Sequence, residues 1–157
     1  MNLLIMGGTQ FLGRAIVTAA LENGHSVSLF HRGKTNPDLF PEAEHLIGDR
    51  NETNLDALKG REFDAIIDVS AYIPRAVEEL LEVVKTKHYT LISTISVYKR
   101  NDLIGQNESA ELIHLTDPTV EEVNGETYSG HTFEEADAIV GDNKVRTANS
   151  QASYGFI

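Results

Sequence analysis

The sequence predicts an α/β fold built on a doubly wound parallel sheet, and three observations carry that prediction. Asn2 to Met6 is a short apolar run suited to a buried strand, and Gly7-Gly8 breaks it. Phe11, Leu12, Ala15 and Ile16 then recur at helical spacing. A second strand, Ser26 to Phe30, follows the helix stop at Glu22-Asn23-Gly24-His25, with Gly24 expected as the C′ residue. Strand, helix, strand is the crossover unit that yields parallel pairing.

The first turn is also the context that a dinucleotide-binding turn requires. Gly7 permits a tight exit from the strand, and Gly13, having no Cβ, lets the helix lie close to the sheet. The first helical amides and the helix dipole favour an anion above the turn. The expected anion is a cofactor pyrophosphate, seated over Gly7, Thr9, Gln10, Phe11, Leu12 and Gly13. Gln10 stands where the middle glycine of the motif ordinarily lies. An ordinary strand-to-helix turn without a ligand is the alternative.

The end of the second strand meets the adenosine ribose in such folds. Here it reads His31-Arg32-Gly33-Lys34 rather than a carboxylate. Arg32 and Lys34 neutralise a 2′-phosphate and favour NADP over NAD, or they are solvated loop cations, or Arg32 stacks on adenine. A loop with Pro37 and Pro41 leads to a third strand, His45 to Ile47, and to Gly48-Asp49-Arg50. Asp49 either accepts a hydrogen bond from the adenine amino group or caps a helix expected from about Thr53 to Lys59. Asn51 and Thr53 compete for that cap and leave Asp49 freer for a ligand.

Phe63 to Val69 reads as the fourth strand, with Ser70-Ala71-Tyr72 beyond its carboxyl end, where ligands of open α/β sheets bind. Pro74 starts a helix to about Lys87, with Val77, Leu80, Leu81 and Val84 on one face and Glu78, Glu79 and Glu82 on the wet face. Tyr89 to Ile92 is the fifth strand, and Lys99 to Thr127 is polar without a clear period.

Composition sets the remaining bounds. The chain has 157 residues, 41% hydrophobic and 24% charged, as in a globular domain with its own core. Cysteine is absent, and the six histidines are scattered without metal-ligand spacing, so no metal site is expected. No signal peptide or membrane span is apparent, which makes the cytoplasm the default. The net charge of −11 argues against nucleic-acid partners and anionic membranes.

Taken together, Gly7-Gly8-Thr9-Gln10-Phe11-Leu12-Gly13-Arg14, His31 to Pro37, Gly48-Asp49-Arg50 and Ile92 to Tyr98 resemble the extended and atypical short-chain dehydrogenase/reductases of the NAD(P)-dependent epimerase/dehydratase group. The resemblance covers residues 1 to about 128. It implies a Rossmann-like domain over residues 1–128 that binds NAD(P), with Asp49, Arg50, Ser70 and Ala71 also at the cofactor. It implies Thr94 as the hydroxyl residue and Tyr128 as the acid/base, acting on a nucleotide-sugar-like substrate. Four residues after Tyr128, where the family places a lysine, the chain has Thr132. Without that cation the phenol stays near its reference pKa of about 10 and turnover is impaired. An NAD(P)-binding regulatory module without catalysis is the alternative. Relatives in this branch also include RNA-associated plastid proteins, a third reading that the charge counts against.

Residues 129–157 form an atypical tail, polar where a sixth strand belongs, so the sheet is expected to be truncated at its C-terminal end, with no substrate domain following. An apolar surface left uncovered there would be buried in a homodimer. Shifted by one base, the codons of Thr147 to Ser153 can encode Leu-Leu-Ile-Val-Arg-Pro or Arg-Leu-Ile-Val-Arg-Pro. Those of Thr132 to Ala136 can encode Pro-Leu-Lys-Lys, close to the missing lysine segment. A frameshifted tail is the reading that follows. The coding DNA checks it: the shifted frame after codon 128 should continue as a substrate domain, and early stop codons would overturn it.

Overall fold

A computed structural model of the chain describes residues 1–94, 97–100 and 102–112. Its main sheet comprises β1 (Asn2–Met6), β2 (Ser26–His31), β3 (Glu44–Ile47), β5 (Ala65–Asp68) and β7 (Tyr89–Leu91). They run in the order β3-β2-β1-β5-β7, every pair parallel. A small second sheet pairs β4 (Glu62–Phe63) with β6 (Lys85–Thr86). The helices are α1 (Phe11–Glu22) and α2 (Pro74–Val83).

The doubly wound arrangement follows from the alternation along β1. Leu3 and Ile5 join the core under α1 with Val17, Ala20 and Leu29. Leu4 and Met6 join the opposite core with Ile66, Val77 and Leu80. A central strand buried on both faces must be apolar at every position, which is why the period-two signal is absent from it. Each fully buried aliphatic side chain contributes about 1.5–3 kcal/mol. On α2, Val77 and Leu80 are buried and Leu81 half-buried, as the spacing predicts, and Val84 is buried just past the helix end. Of its acidic residues, Glu79 is half-buried and pairs with Arg75 at 2.8 Å rather than facing water.

Several expected boundaries move. β2 extends by one residue to His31, β3 begins one residue earlier at Glu44, and β7 ends at Leu91. The fourth strand is divided. At Asp64 the amide bonds to the Asn2 carbonyl (2.8 Å) and the carboxylate accepts from the Asn2 amide (2.8 Å), so Glu62–Phe63 is turned out to a separate partner. α2 stops at Val83 because Val84 is extended (φ −119°, ψ 140°) and Lys85–Thr86 pairs with Glu62–Phe63. The helix expected over Thr53–Lys59 is replaced by two short 3-10 turns, Arg50–Glu52 and Asp56–Leu58. Thr53 takes a left-handed conformation (φ 54°), and the Asn54 amide returns to the Asp49 carbonyl at 2.9 Å, which breaks the helical path.

The stop after α1 is as expected. The Gly24 amide bonds to the Leu21 carbonyl (2.9 Å) and the His25 amide to that of Ala20 (3.0 Å), a Schellman pair with Gly24 at φ +72°. Beyond Tyr98, which bridges to Leu112, the chain makes an excursion closed by the Lys99–Glu111 ion pair. Tyr128, Thr132 and the tail lie outside the described residues. No helix among the described residues is long and apolar enough to cross a membrane, and they contain no group of side chains able to hold a metal ion.

Gly24→Ala forces a Cβ into the left-handed region, although the space around it is open. It should lower stability by about 1 kcal/mol in urea denaturation with the fold retained.

Candidate functional site

The strand order places a topological switch point between β1 and β5, because the chain leaves β1 toward β2 on one side and reaches β5 on the other. The turn above that crevice is defined by two glycines. Gly7 sits at φ +89°, and a Cβ there would lie 3.2 Å from Val69 Cγ2 and 3.3 Å from the Ser70 Cβ. At Gly13 a Cβ would stand 2.5 Å from the Gly7 carbonyl oxygen. Helix α1 therefore starts in backbone contact with the strand exit. Its N-cap residue, Gln10, makes no side-chain capping bond, and the first helical bond runs from the Arg14 amide to the Gln10 carbonyl (3.1 Å). The initial amides are thus left for an outside acceptor. Gln10 and Phe11 are exposed, Leu12 is half-buried and Thr9 is buried. Phe11 carries φ 40° and an almost fully exposed ring (94%).

The loop after β2 leans onto this turn, with Asn36 Nδ2 donating to the Thr9 carbonyl at 3.1 Å. Arg32 and Lys34 are exposed at its start and make no ion pair among the described residues.

Arg50 is not placed as expected. It is 7% exposed, and Nη1 donates to both oxygens of fully buried Asp68 at 2.8 Å and to Ser70 Oγ at 3.2 Å. Nη2 donates to the Ala76 carbonyl at 2.7 Å, and Nε has no partner. Tyr89 Oη donates to Asp68 Oδ2 at 2.9 Å, and the Ser70 amide to Oδ1 at 2.9 Å. The cofactor contact expected of Arg50 is therefore replaced by an internal one: its guanidinium ties the loop after β3 to the end of β5 and to α2. The Ser70 hydroxyl is drawn into the same network, and Ala71, 3% exposed, packs in the α2-side core.

Asp49 is a cap after all: its Oδ1 accepts from the Asn51 amide at 3.1 Å. Asn51 and Thr53 do not displace it, because Asn51 lies inside the 3-10 turn and Thr53 closes it. Thr94 is half-buried beyond β7, its carbonyl accepting from Val97 at 3.4 Å. Its expected partner Tyr128 lies outside the described residues.

Sequence reasoning missed two features that were signalled. Asp68 ends an otherwise apolar buried run, and a buried carboxylate requires a partner. His31 and His45 lie on adjacent strands and meet at 2.7 Å. Burial, and after it the nearby His45, lower the His31 pKa from its ordinary value near 6.5.

Sheet order and turn define a Rossmann-like fold. Among solved structures, the UDP-Glc/GlcNAc 4-epimerase from Campylobacter jejuni is similar, with a TM-score of 0.67 at 15% identity over 90% of this chain and 48% of that one. So is a short-chain dehydrogenase/reductase superfamily protein from Agrobacterium tumefaciens with bound NAD, with a TM-score of 0.63 at 17% identity over 95% of this chain and 48% of that one. Among curated proteins, the chloroplast stem-loop binding protein of 41 kDa b from Arabidopsis thaliana is 30% identical over 119 residues, 66% of this chain and 32% of its own length. No family model matches. The chain spans about a third of that relative and about half of the solved structures. These likenesses uphold the resemblance to the epimerase/dehydratase group.

Arg50→Met strands the Asp68 carboxylate and should cost about 3–5 kcal/mol in urea denaturation. Adding Asp68→Asn, which keeps an acceptor for Tyr89, should recover part of that loss. Equal losses in the single and double variants would show that the charge pair is not what holds the loops.

Proposed function

We propose that residues 1–128 are the nucleotide-binding unit of an NAD(P)-dependent protein of the epimerase/dehydratase type. The observation that carries the reading is the approach of Gly13 to the Gly7 carbonyl, which any side chain would prevent. The residues fit the group. The uncapped amides from Gln10 to Gly13 would hold the diphosphate, Asp49 would lie toward the adenine through the oxygen not used in capping, and Arg32 and Lys34 would take a 2′-phosphate, favouring NADP over NAD. When bound, such a cofactor supplies hydride transfer at its nicotinamide, and the name of the C. jejuni relative suggests a nucleotide-sugar-like substrate.

For the chemical step, the resemblance assigns Tyr128 to proton transfer and Thr94 to orienting the substrate hydroxyl. Thr132 in place of lysine removes the cation that would lower the tyrosine pKa, so binding without appreciable turnover, as in a regulatory module, is the form of activity we expect of this chain. A second reading, stem-loop binding, is favoured by the name of the curated relative and opposed by the net charge of −11.

Fluorescence titration with NADH and NADPH tests the proposal. Both should bind, NADPH more tightly. Gly13→Ala, with its fold checked by circular dichroism, should weaken both by about tenfold or more, the scale of a lost charge-assisted bond. Absence of binding at millimolar nucleotide together with capture of a labelled RNA stem-loop would replace it with the second reading.

A further inference from the structure

The carboxyl end of β2 carries a short hydrogen-bonded relay. His31 Nε2 and His45 Nδ1 are 2.7 Å apart, with the rings edge to face at 88° and their centroids 5.0 Å apart. The two ends of the relay set its direction. The Phe40 carbonyl only accepts, so His45 Nε2, 3.1 Å away, carries a hydrogen. The Gly33 amide only donates, so His31 Nδ1, 3.0 Å away, is bare. With both rings neutral, His31 Nε2–H donates to His45 Nδ1 and all three bonds are made. A further proton has no free place. On His31 Nδ1 it faces the Gly33 N–H, and on His45 Nδ1 it faces the His31 N–H.

The relay holds the segment between β2 and β3. Gly33 is fixed by His31, Phe40 by His45, and Asn36 by the Thr9 carbonyl of the glycine turn. Phe40 (φ 64°) takes a left-handed backbone conformation that a bulky side chain avoids, while Asn36 (φ 43°) takes one that asparagine tolerates, so the Phe40 end of the segment keeps this shape only while something supports it. Arg32 and Lys34 flank Gly33 and move with it. The surroundings leave the proton balance to the pair itself. β1 brings no titratable side chain, and Glu44 on β3 turns to Ser28 and Arg61 on the other face of the sheet. Arg32, Lys34, Asp38 and Glu42 of the segment, and Arg14 and Glu22 of α1, lie toward solvent.

We propose that His31 and His45 are positioning residues forming a proton-sensitive latch, which holds Arg32 and Lys34 over the nucleotide phosphate and lets them go when one proton enters the pair. The proposal rests on the reading of this end of the sheet as a nucleotide site. His31 has its pKa lowered by burial, so the latch is fully made above pH 6.5 and is lost as pH falls through that lowered value. A histidine acting only as an added cation would do the opposite and tighten phosphate binding on acidification.

The test combines ring and amide NMR of ¹⁵N-labelled protein between about pH 8 and about pH 5 with calorimetric titration of NADP⁺ over the same range. Both rings should show the Nε2–H tautomer at the alkaline end. The Gly33 amide and the Asn36 side-chain amide should shift together with the His31 titration, nucleotide absent. His31→Asn keeps an acceptor for Gly33 but cannot titrate. The nucleotide phosphate itself titrates near pH 6, so the readout is the difference between the parent protein and H31N. On acidification the parent should lose affinity by a factor about threefold or more larger than H31N does. Equal pH dependence in the two proteins, tightening of the parent relative to H31N, or a Gly33 amide indifferent to the His31 titration would overturn the latch. Amide shifts as expected with no NADP⁺ binding at any pH would uphold the latch and overturn the nucleotide reading.

Discussion

The contact between the start of α1 and the exit of β1 is the constraint on which the rest of the molecule depends. With 2.5 Å between a Cβ built on Gly13 and the Gly7 oxygen, no other residue fits at position 13 without moving the helix. That closeness lets Val17 and Ala20 reach Leu3 and Ile5, and so closes one of the two cores. It also aims the unpaired amides of the first helical turn over the crevice between β1 and β5. Packing and anion binding are thus served by the same missing side chain. Gly8 adds to the packing alone, since a Cβ there would lie 2.7 Å from Leu29 and 2.8 Å from Val17.

A helix start can be placed by local sterics, but the loop after β3, the end of β5 with its following loop, and α2 come from different parts of the chain and need a tie between them. Arg50 provides it. One guanidinium reaches Asp68 at the end of β5, Ser70 in the following loop and the Ala76 carbonyl in α2. Burial of both charges is expensive, and the unpartnered Nε adds to the cost. An arrangement so costly is weak as a source of stability; what it provides is a fixed geometry, since a planar fork satisfies these acceptors in only one orientation.

Local chemistry made the main sheet readable. Apolar runs, the Gly24 stop and Pro74 at the start of α2 each act within a few residues, and the structure follows them. The failures share a different cause. The break at Asp64 exists because Asn2 pairs with it from sixty-two positions away. The 3-10 turn at Arg50–Glu52 stands where a helix is expected to follow because Asp49 and Asn54 bond across it. The burial of Arg50 depends on Asp68, and the histidine relay on strands that meet only in the folded sheet. A residue type seen alone, such as the arginine of Gly48-Asp49-Arg50, does not reveal whether its charge faces a ligand or the interior. An acidic partner ending a buried strand was the available hint.

Charge placement bears on both functional readings. Most described cations are spent on neighbouring carboxylates, as in Lys59–Asp56, Arg61–Glu44, Lys87–Asp64 and Arg100–Asp102. Arg14, Arg32 and Lys34 make no ion pair among the described residues, and all three belong to the elements that border the glycine turn. Lys85, on β6, is the other described Lys or Arg without an ion pair, so three of the four such cations border the turn in a chain of net charge −11. At physiological ionic strength screening acts over about 8 Å, so a diphosphate at the turn feels those cations and the helix start far more than the distant acidic surface. A nucleic-acid stem-loop, presenting phosphates over a much longer span, would meet the acidic surface as well. The same three cations thus suit a compact anion better than an extended one.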